Sequence, residues 1–231
     1  MKRALLVLIC GCLVVGVAPA VYAGVTNASA CISTHIGPSI TKLPCDNQPS
    51  LNRFNIVTRV DVGVNCLDED WNIWLLVCNG SDSLGIAGME FGIDYDGALG
   101  SGMDVNAYTL CGDLEFPNPN FPDAGTGNII TWIPQTNCQD QNSEPFVAGS
   151  VIAIGGVLNV QLYSPDQLSI TPRPVSGFAK VADCNSAETN ITGLVPSHLG
   201  VAGFCMPGYN PCFAPTPVED TTWGRLKGKY N

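Results

Sequence analysis

Residues 86–96 read IAGMEFGIDYD, in which Met89, Phe91, Ile93 and Tyr95 alternate with Glu90, Gly92, Asp94 and Asp96. A helix would spread these four large apolar side chains around its circumference. An extended strand lines them up on one face and turns the polar ones to the other. A half-buried β-strand is the conformation that satisfies both sets. Residues 54–64 repeat the pattern, with Phe54, Ile56, Thr58, Val60, Val62 and Val64 opposite Asn55, Arg59 and Asp61. Residues 71–78 (WNIWLLVC) are apolar on both faces, as expected of a central strand.

Further short strands are expected at residues 105–111, 128–133, 168–170, 177–181 and 199–204. Residues 147–163 form the longest apolar stretch, and Gly155-Gly156 makes it either two strands or one bulged strand with Leu158, Val160 and Leu162 inward. Asn79-Gly80-Ser81-Asp82 is a turn signal, and residues 116–123 (FPNPNFPD) read as a proline-rigid loop. No segment of helical period and no internal repeat is present. With 25 Gly, 17 Pro and only 13% charged residues, the composition suits many short strands joined by tight turns. The expected fold is all-β, an antiparallel sandwich of jelly-roll type over residues 24–213, with an irregular, disulfide-pinned segment at residues 24–50 containing at most one edge strand.

The N-terminus has the form of an export signal. Lys2 and Arg3 precede an apolar run, and Val21-Tyr22-Ala23 is a small-residue cleavage site, so cleavage is expected after Ala23. The run is short for a membrane span and is followed by Pro19; it also continues past Cys12, which argues against a lipid anchor at Ile9-Cys10-Gly11-Cys12. A secreted or cell-surface location is expected, with no membrane insertion once the signal is removed. From Gly24 onward eight basic residues face twenty acidic ones, a net charge of −12. A surface this negative repels phosphate backbones and anionic lipid, so nucleic acid is not an expected partner.

Nine cysteines follow the signal: Cys31, Cys45, Cys66, Cys78, Cys111, Cys138, Cys184, Cys205 and Cys212. They stand singly, without the paired spacing of a zinc site, and in an exported chain they read as half-cystines. Sequence proximity suggests Cys31–Cys45, Cys66–Cys78 and Cys111–Cys138, with the last three unassigned. Nine is odd, so one thiol is left over or pairs between chains.

The chain carries neither a GxSxG elbow nor an HExxH pair. His35 and His198 each lie in a serine-containing loop, and His35 reads as a surface residue. Glu90, Asp94 and Asp96 share a strand face where a glycosidase could place acid and base, although a solvated sheet face gives the same pattern. Asp94, Asp96 and Asp104 are candidate calcium ligands, as are Asp68, Glu69 and Asp70, but the spacing is not that of an EF-hand. Trp71, Trp74 and Trp132 lie in apolar strands where core packing is the default. Tyr108, Phe116 and Phe121, in or near loops, are the candidate ligand-facing aromatics.

Residues 214–231 differ from the rest: a proline-containing linker leads to TTWGRLKGKYN, where Trp223, Arg225, Lys227 and Lys229 make a short basic tail. The tail is expected to be a frayed end or a segment docked on the acidic body, the alternative being an attachment or recognition tag that docks on another surface component.

The strand IAGMEFGIDYD followed by a Gly-rich turn and TWIP resembles the sandwich modules of cohesins and carbohydrate-binding modules. Together with CGDLEFPNPNFPDAGTGNIITW, LGVAGF and the terminal TTWGRLK it also resembles an uncharacterised group of exported proteins of environmental bacteria. The first resemblance implies a cohesin-like sandwich; the second implies a secreted β-sandwich with a short C-terminal tail and no assigned activity. The functional expectation is a non-catalytic secreted or cell-surface structural and binding module for an extracellular protein or glycan. Its alternatives are a carbohydrate-binding module, with or without calcium, and a glycoside-active enzyme. Calcium aside, no cofactor is expected.

Overall fold

The computed structural model describes residues 27–46, 59–60, 70–140, 146–147, 150–192, 194 and 197–199. Among them the chain forms strands and no helix, and so no helix long and apolar enough to cross a membrane. The strands are β1 (Cys31–Pro38), β2 (Arg59–Val60), β3 (Asp70–Gly80), β4 (Gly88–Asp94), β5 (Met103–Leu110), β6 (Leu114–Glu115), β7 (Thr126–Thr131), β8 (Phe146–Val147), β9 (Ser150–Leu162), β10 (Asp166–Thr171), β11 (Lys180–Ala182), β12 (Glu188–Asn190) and β13 (Ser197–Leu199). One sheet has the order β1-β3-β9-β5, with β8 paired to β9. The other runs β12-β11-β4-β10-β13-β2, with β7 on β4 and β6 on β7. Pairings between these strands are antiparallel except β13 with β2, and an isolated parallel bridge joins Ile32 to Leu194. The chain is an all-β, disulfide-stabilised sandwich, as the alternation predicts.

The strand at residues 86–96 is the hub of the second sheet. β4 pairs with β7 along Gly88–Ile93, while its other edge is shared by β11 at Gly88–Glu90 and by β10 at Gly92–Asp94. Met89, Phe91 and Ile93 are buried, and Tyr95 packs partly buried against the same core. They meet Ile73, Leu75, Val77, Leu158, Val160 and Leu162 from the first sheet. β9 is one long strand with a bulge: Leu75 faces Gly156 and Leu76 faces Ile154, so Gly155 is the extra residue. The bulge resets the alternation, which is why Val151 and Ala153 before it and Leu158, Val160 and Leu162 after it all enter the same core. A Cβ on Gly155 would sit 2.5 Å from Met89 Sδ and 3.0 Å from Ile130 Cδ1, so the site requires glycine.

β3 is buried on both faces, as its apolar run predicts. Its second face, with Trp74, Leu76 and Cys78, builds a separate cluster with Ile152, Ile154 and Val157 on the outside of the first sheet. Residues 39–46 cross this face as a strap. Trp74 Nε1 donates to Pro44 O at 2.9 Å, Asn72 Nδ2 donates to Ile40 O at 3.1 Å, and Cys45 is disulfide-bonded to Cys111.

The strap corrects several expectations. Cys45 does not pair with Cys31 but reaches Cys111, 66 residues away in sequence. Cys31 opens β1, opposite Cys78 in the ladder, and remains a buried thiol whose pKa burial pushes up to about 11. Cys111 does not pair with Cys138 because the two follow strands of different sheets; Cys138 bonds Cys184 instead, joining the segments that follow β7 and β11. Cys78 is a half-cystine. Residues 31–38, expected to be irregular or at most an edge strand, are a fully paired eight-residue edge strand. His35, expected at the surface, is 5% exposed and lies against Trp74 with ring centroids 5.5 Å apart. The β-strand at residues 188–190 carries no alternation long enough to be read from sequence. Most of the expected strand at 54–64, the strand end at 200–204, the signal at 1–23, the tail at 214–231, and Cys66, Cys205 and Cys212 lie outside the described residues.

Non-reduced peptide mapping is expected to recover the Cys45–Cys111 and Cys138–Cys184 peptides; a Cys31–Cys45 or Cys111–Cys138 peptide would contradict the fold. His35 gives a second expectation. Burial pulls its imidazole pKa from 6.5 down to about 4, so between these values the unfolded chain holds the extra proton and folding loses stability as pH falls. The full separation is worth roughly 3 kcal/mol at about 1.4 kcal/mol per pH unit. Denaturant titrations from pH 7 to 4 should show this slope, and His35→Gln should flatten it.

Candidate functional site

The second sheet presents an outer face built by five adjacent strands. Register places Leu114, Thr131, Gly88, Ala182 and Glu188 in one row across β6, β7, β4, β11 and β12. The neighbouring row holds Phe116, which exchanges backbone hydrogen bonds with Ile129, then Ile129, Glu90, Lys180 and Asn190. The row between them (Glu115, Ile130, Met89, Val181 and Thr189) points the other way, with Ile130, Met89 and Val181 entering the core.

Two small residues in the middle of the first row leave a trough. Together with the segments after β7 and β11 it forms a half-open groove of about 350 Å³. Its apolar bank is Leu114, Ile129, Ile133 and Pro134; its polar bank is Lys180, Asp183, Ser186 and Glu188. Leu114 is 56% exposed and Ile133 45%, and Phe116, at 56%, continues the apolar bank. Nothing in the backbone demands glycine at the floor. A Cβ on Gly88 would meet Ala182 Cβ at 3.4 Å, an ordinary contact, so the position could hold a side chain that filled the groove.

The charged groups along the groove are committed to one another. Lys180 Nζ donates to Glu188 Oε2 at 2.8 Å, and this bond holds the ammonium pKa above its usual value. Lys180 Nζ also lies 5.4 Å from the Phe178 ring centroid. Asp183 is buried and accepts the amides of Asn185 and Ala187, shaping the turn into β12. Glu90, expected on a solvated face, is 8% exposed, with Arg173 Nη1 3.6 Å from its Oε1. Arg173 also donates from Nε to Asn118 Oδ1 and from Nη2 to Phe116 O, both at 2.9 Å. One guanidinium therefore ties the FPNPNFPD loop to the central strand and fixes where Phe116 emerges.

The structure does not gather the other candidate residues into this site. Asp94 is exposed at the end of β4. Asp96 accepts from Ala98 N and Ser101 Oγ, and Asp104 accepts from Gly100 N, so each organises a turn. Among the described residues no group of three or more His, Cys, Asp and Glu is placed to hold a metal ion. Of Glu90, Asp94 and Asp96, Glu90 alone lines the groove. Tyr108 and Phe121 are half-buried and pack edge-on to each other with centroids 5.0 Å apart, and Phe121 stands edge-on to Phe91 at 6.2 Å. Both contribute to the core margin because β5 points Tyr108 between the sheets. Of the three candidate aromatics, Phe116 alone stands mainly in solvent. Trp71, Trp74 and Trp132 are core residues. His198 lies in β13, its side chain outside the described residues, as are Asp68, Glu69, Trp223, Arg225 and Lys227.

No protein-family profile matches the chain, and no curated protein matches it. Solved structures with similar architecture include a cohesin module from a Clostridium perfringens family 33 glycoside hydrolase, at 11% identity and TM-score 0.41, covering 74% of this chain and 96% of that one. A type II cohesin domain from the cellulosome of Acetivibrio cellulolyticus is similar at 10% identity and TM-score 0.42, covering 74% and 95%. A cohesin–dockerin complex from Clostridium thermocellum is similar at 13% identity and TM-score 0.39, covering 73% and 97%.

Arg173 is the residue whose loss should be felt most at the site. Arg173→Met leaves Glu90 buried without its cation and is expected to lower stability by about 3 kcal/mol. Adding Glu90→Gln should recover more than half of that in urea titrations, because the uncompensated charge is then gone.

Proposed function

We propose that the protein is a non-catalytic, exported binding module that takes a protein partner in the groove on the outer face of its second sheet. The observation that carries this reading is the groove's make-up: an exposed apolar bank faces a bank of already paired charges across a floor of Gly88 and Ala182. Leu114, Ile133 and Phe116 offer apolar area for affinity, and the paired charges at the rim orient a partner. Reacting groups would need to converge on one point with their valences open, whereas Lys180, Glu188, Glu90 and Arg173 neutralise one another pairwise. Export is read from the N-terminal signal and agrees with disulfides at Cys45–Cys111 and Cys138–Cys184.

The test compares the full exported chain with Gly88→Val, which fills the groove, and with Leu114→Asp/Ile133→Asp, which charges its bank. Proteins captured from the producer's extracellular fraction should be retained by the wild type and reduced at least about tenfold by either variant, a loss of ~1.4 kcal/mol. Capture that ignores both variants would sink the reading. Binding on a glycan array, lost on Phe116→Ala, would favour the carbohydrate-binding alternative instead.

A further inference from the structure

We infer that the groove's resident occupant is the chain's own C-terminal segment, residues 221–231 (TTWGRLKGKYN), docked in cis; this rests on the reading of the groove as the protein's binding surface. The segment itself lies outside the described residues, and four observations point to it.

The first is charge. Residues 24–220 hold all twenty acidic residues and only five basic ones, whereas residues 221–231 hold three basic residues and no acidic one. Along the groove Arg173 offsets Glu90 and Lys180 offsets Glu188, which leaves the negative charge of Asp183 in excess. Asp113 lies beside the apolar bank, accepting the Ile133 amide at 2.7 Å. The Glu188 side chain is 61% exposed and can take a second cation.

The second is apolar complementarity. Trp223, Leu226 and Tyr230 are interleaved with Arg225, Lys227 and Lys229, so the segment carries both kinds of group that the two banks take. The third is the placement of the bank itself. Leu43, Leu99 and Val175 are exposed in separate loops, whereas Leu114 and Ile133 line one groove and Phe116, just after β6, continues its apolar bank. The fourth is reach. The last described strand, β13, belongs to the same sheet as the groove, separated from β4 only by β10. Two strand spacings are roughly 10 Å, and the 21 residues from 200 to 220 can span about 70 Å when extended. Covalent connection to β13 gives the segment a higher effective concentration at its own groove than at another molecule's, which favours docking within one molecule over pairing between two.

On this assignment the groove is self-occluded, and an outside partner enters only by displacing a basic, apolar-anchored segment. Hydrogen exchange of the full exported chain tests it. Amides of residues 221–231 should exchange about tenfold slower than an unstructured peptide, independent of protein concentration, and lose that protection at about 0.5 M NaCl. Gly88→Val and Arg225→Glu/Lys227→Glu/Lys229→Glu should each abolish the protection; the second touches nothing in the body and so does not depend on how the body tolerates substitution. A labelled TTWGRLKGKYN peptide should bind the charge-reversed chain and bind the wild type at least about tenfold more weakly, since the wild-type groove is filled. Exchange at unprotected rates in the wild type, or protection that survives Gly88→Val, would overturn the inference. Protection that rises with protein concentration would assign the segment to a second copy and likewise overturn docking in cis. The two proposals fail separately: partner capture lost in Gly88→Val with an unprotected tail leaves the binding reading intact and removes this one.

Discussion

The ladder around β4 is the constraint from which the remaining geometry follows. Its two edges are hydrogen-bonded to three strands, with β7 along one side and β11 and β10 dividing the other. Because side chains alternate along a strand, committing Met89, Phe91 and Ile93 to the core also commits Gly88, Glu90 and Gly92 to the outside. A one-residue slip would turn Glu90 into the core and Phe91 to the outer face, so the register is set by the hydrophobic face. Gly92 is then required where the neighbour changes from β11 to β10, since a Cβ there would lie 2.6 Å from Pro172 O. The bulge in β9 is fitted to the same strand, its extra glycine lying against Met89.

The legible part of the sequence was the part whose burial is decided locally. Residues 86–96 and 158–162 each contain a periodic row long enough to show which face is apolar, residues 71–78 are apolar on both, and each stretch occupies the position its pattern implies. β1 was not legible because its sequence, CISTHIGP, carries Ser33, Thr34 and His35 at its centre and no clean alternation. Ser33 and His35 are buried on the face of β1 where His35 meets Trp74, which the strap at 39–46 crosses, and no window around them records that cover. Glu90 is the same case on the other sheet. Its alternation placed it correctly on the outward face, but its burial depends on Arg173, 83 residues later. Outward-facing and solvent-exposed are distinct properties, and sequence period reports only the first.

The cysteines make the same distinction in covalent form. Pairing neighbours in sequence assumes that the chain stays near itself, which holds for a hairpin and fails for a sandwich whose successive strands change sheets. Cys111 follows β5 in one sheet and Cys138 follows β7 in the other, so each finds a partner on its own side. The Cys45–Cys111 bond closes the strap over Trp74, and the Cys138–Cys184 bond ties together the segments that leave the two flanks of β4 beside Gly85, whose φ of +63° and close approach to both sulfurs leave no room for a side chain. Each bond therefore secures a layer that the hydrogen-bond ladders do not hold themselves.

The groove is a property of register rather than of any one segment. Its residues come from 87–90, 114, 129–134 and 180–188, and they meet only because Leu114, Thr131, Gly88, Ala182 and Glu188 fall in one row across five strands. The core explains why that row faces outward, but it does not explain why its centre is small. Gly85, Gly92 and Gly155 are each forced by a neighbour too close for a Cβ, whereas Gly88 has space for one and a backbone that any residue adopts. A sheet face selected only for solubility would carry threonine or a charged side chain at such a position, where both strand propensity and solvation favour them. Glycine there gives up strand stability without serving the backbone, and what it leaves open is the floor between an apolar and a charged bank.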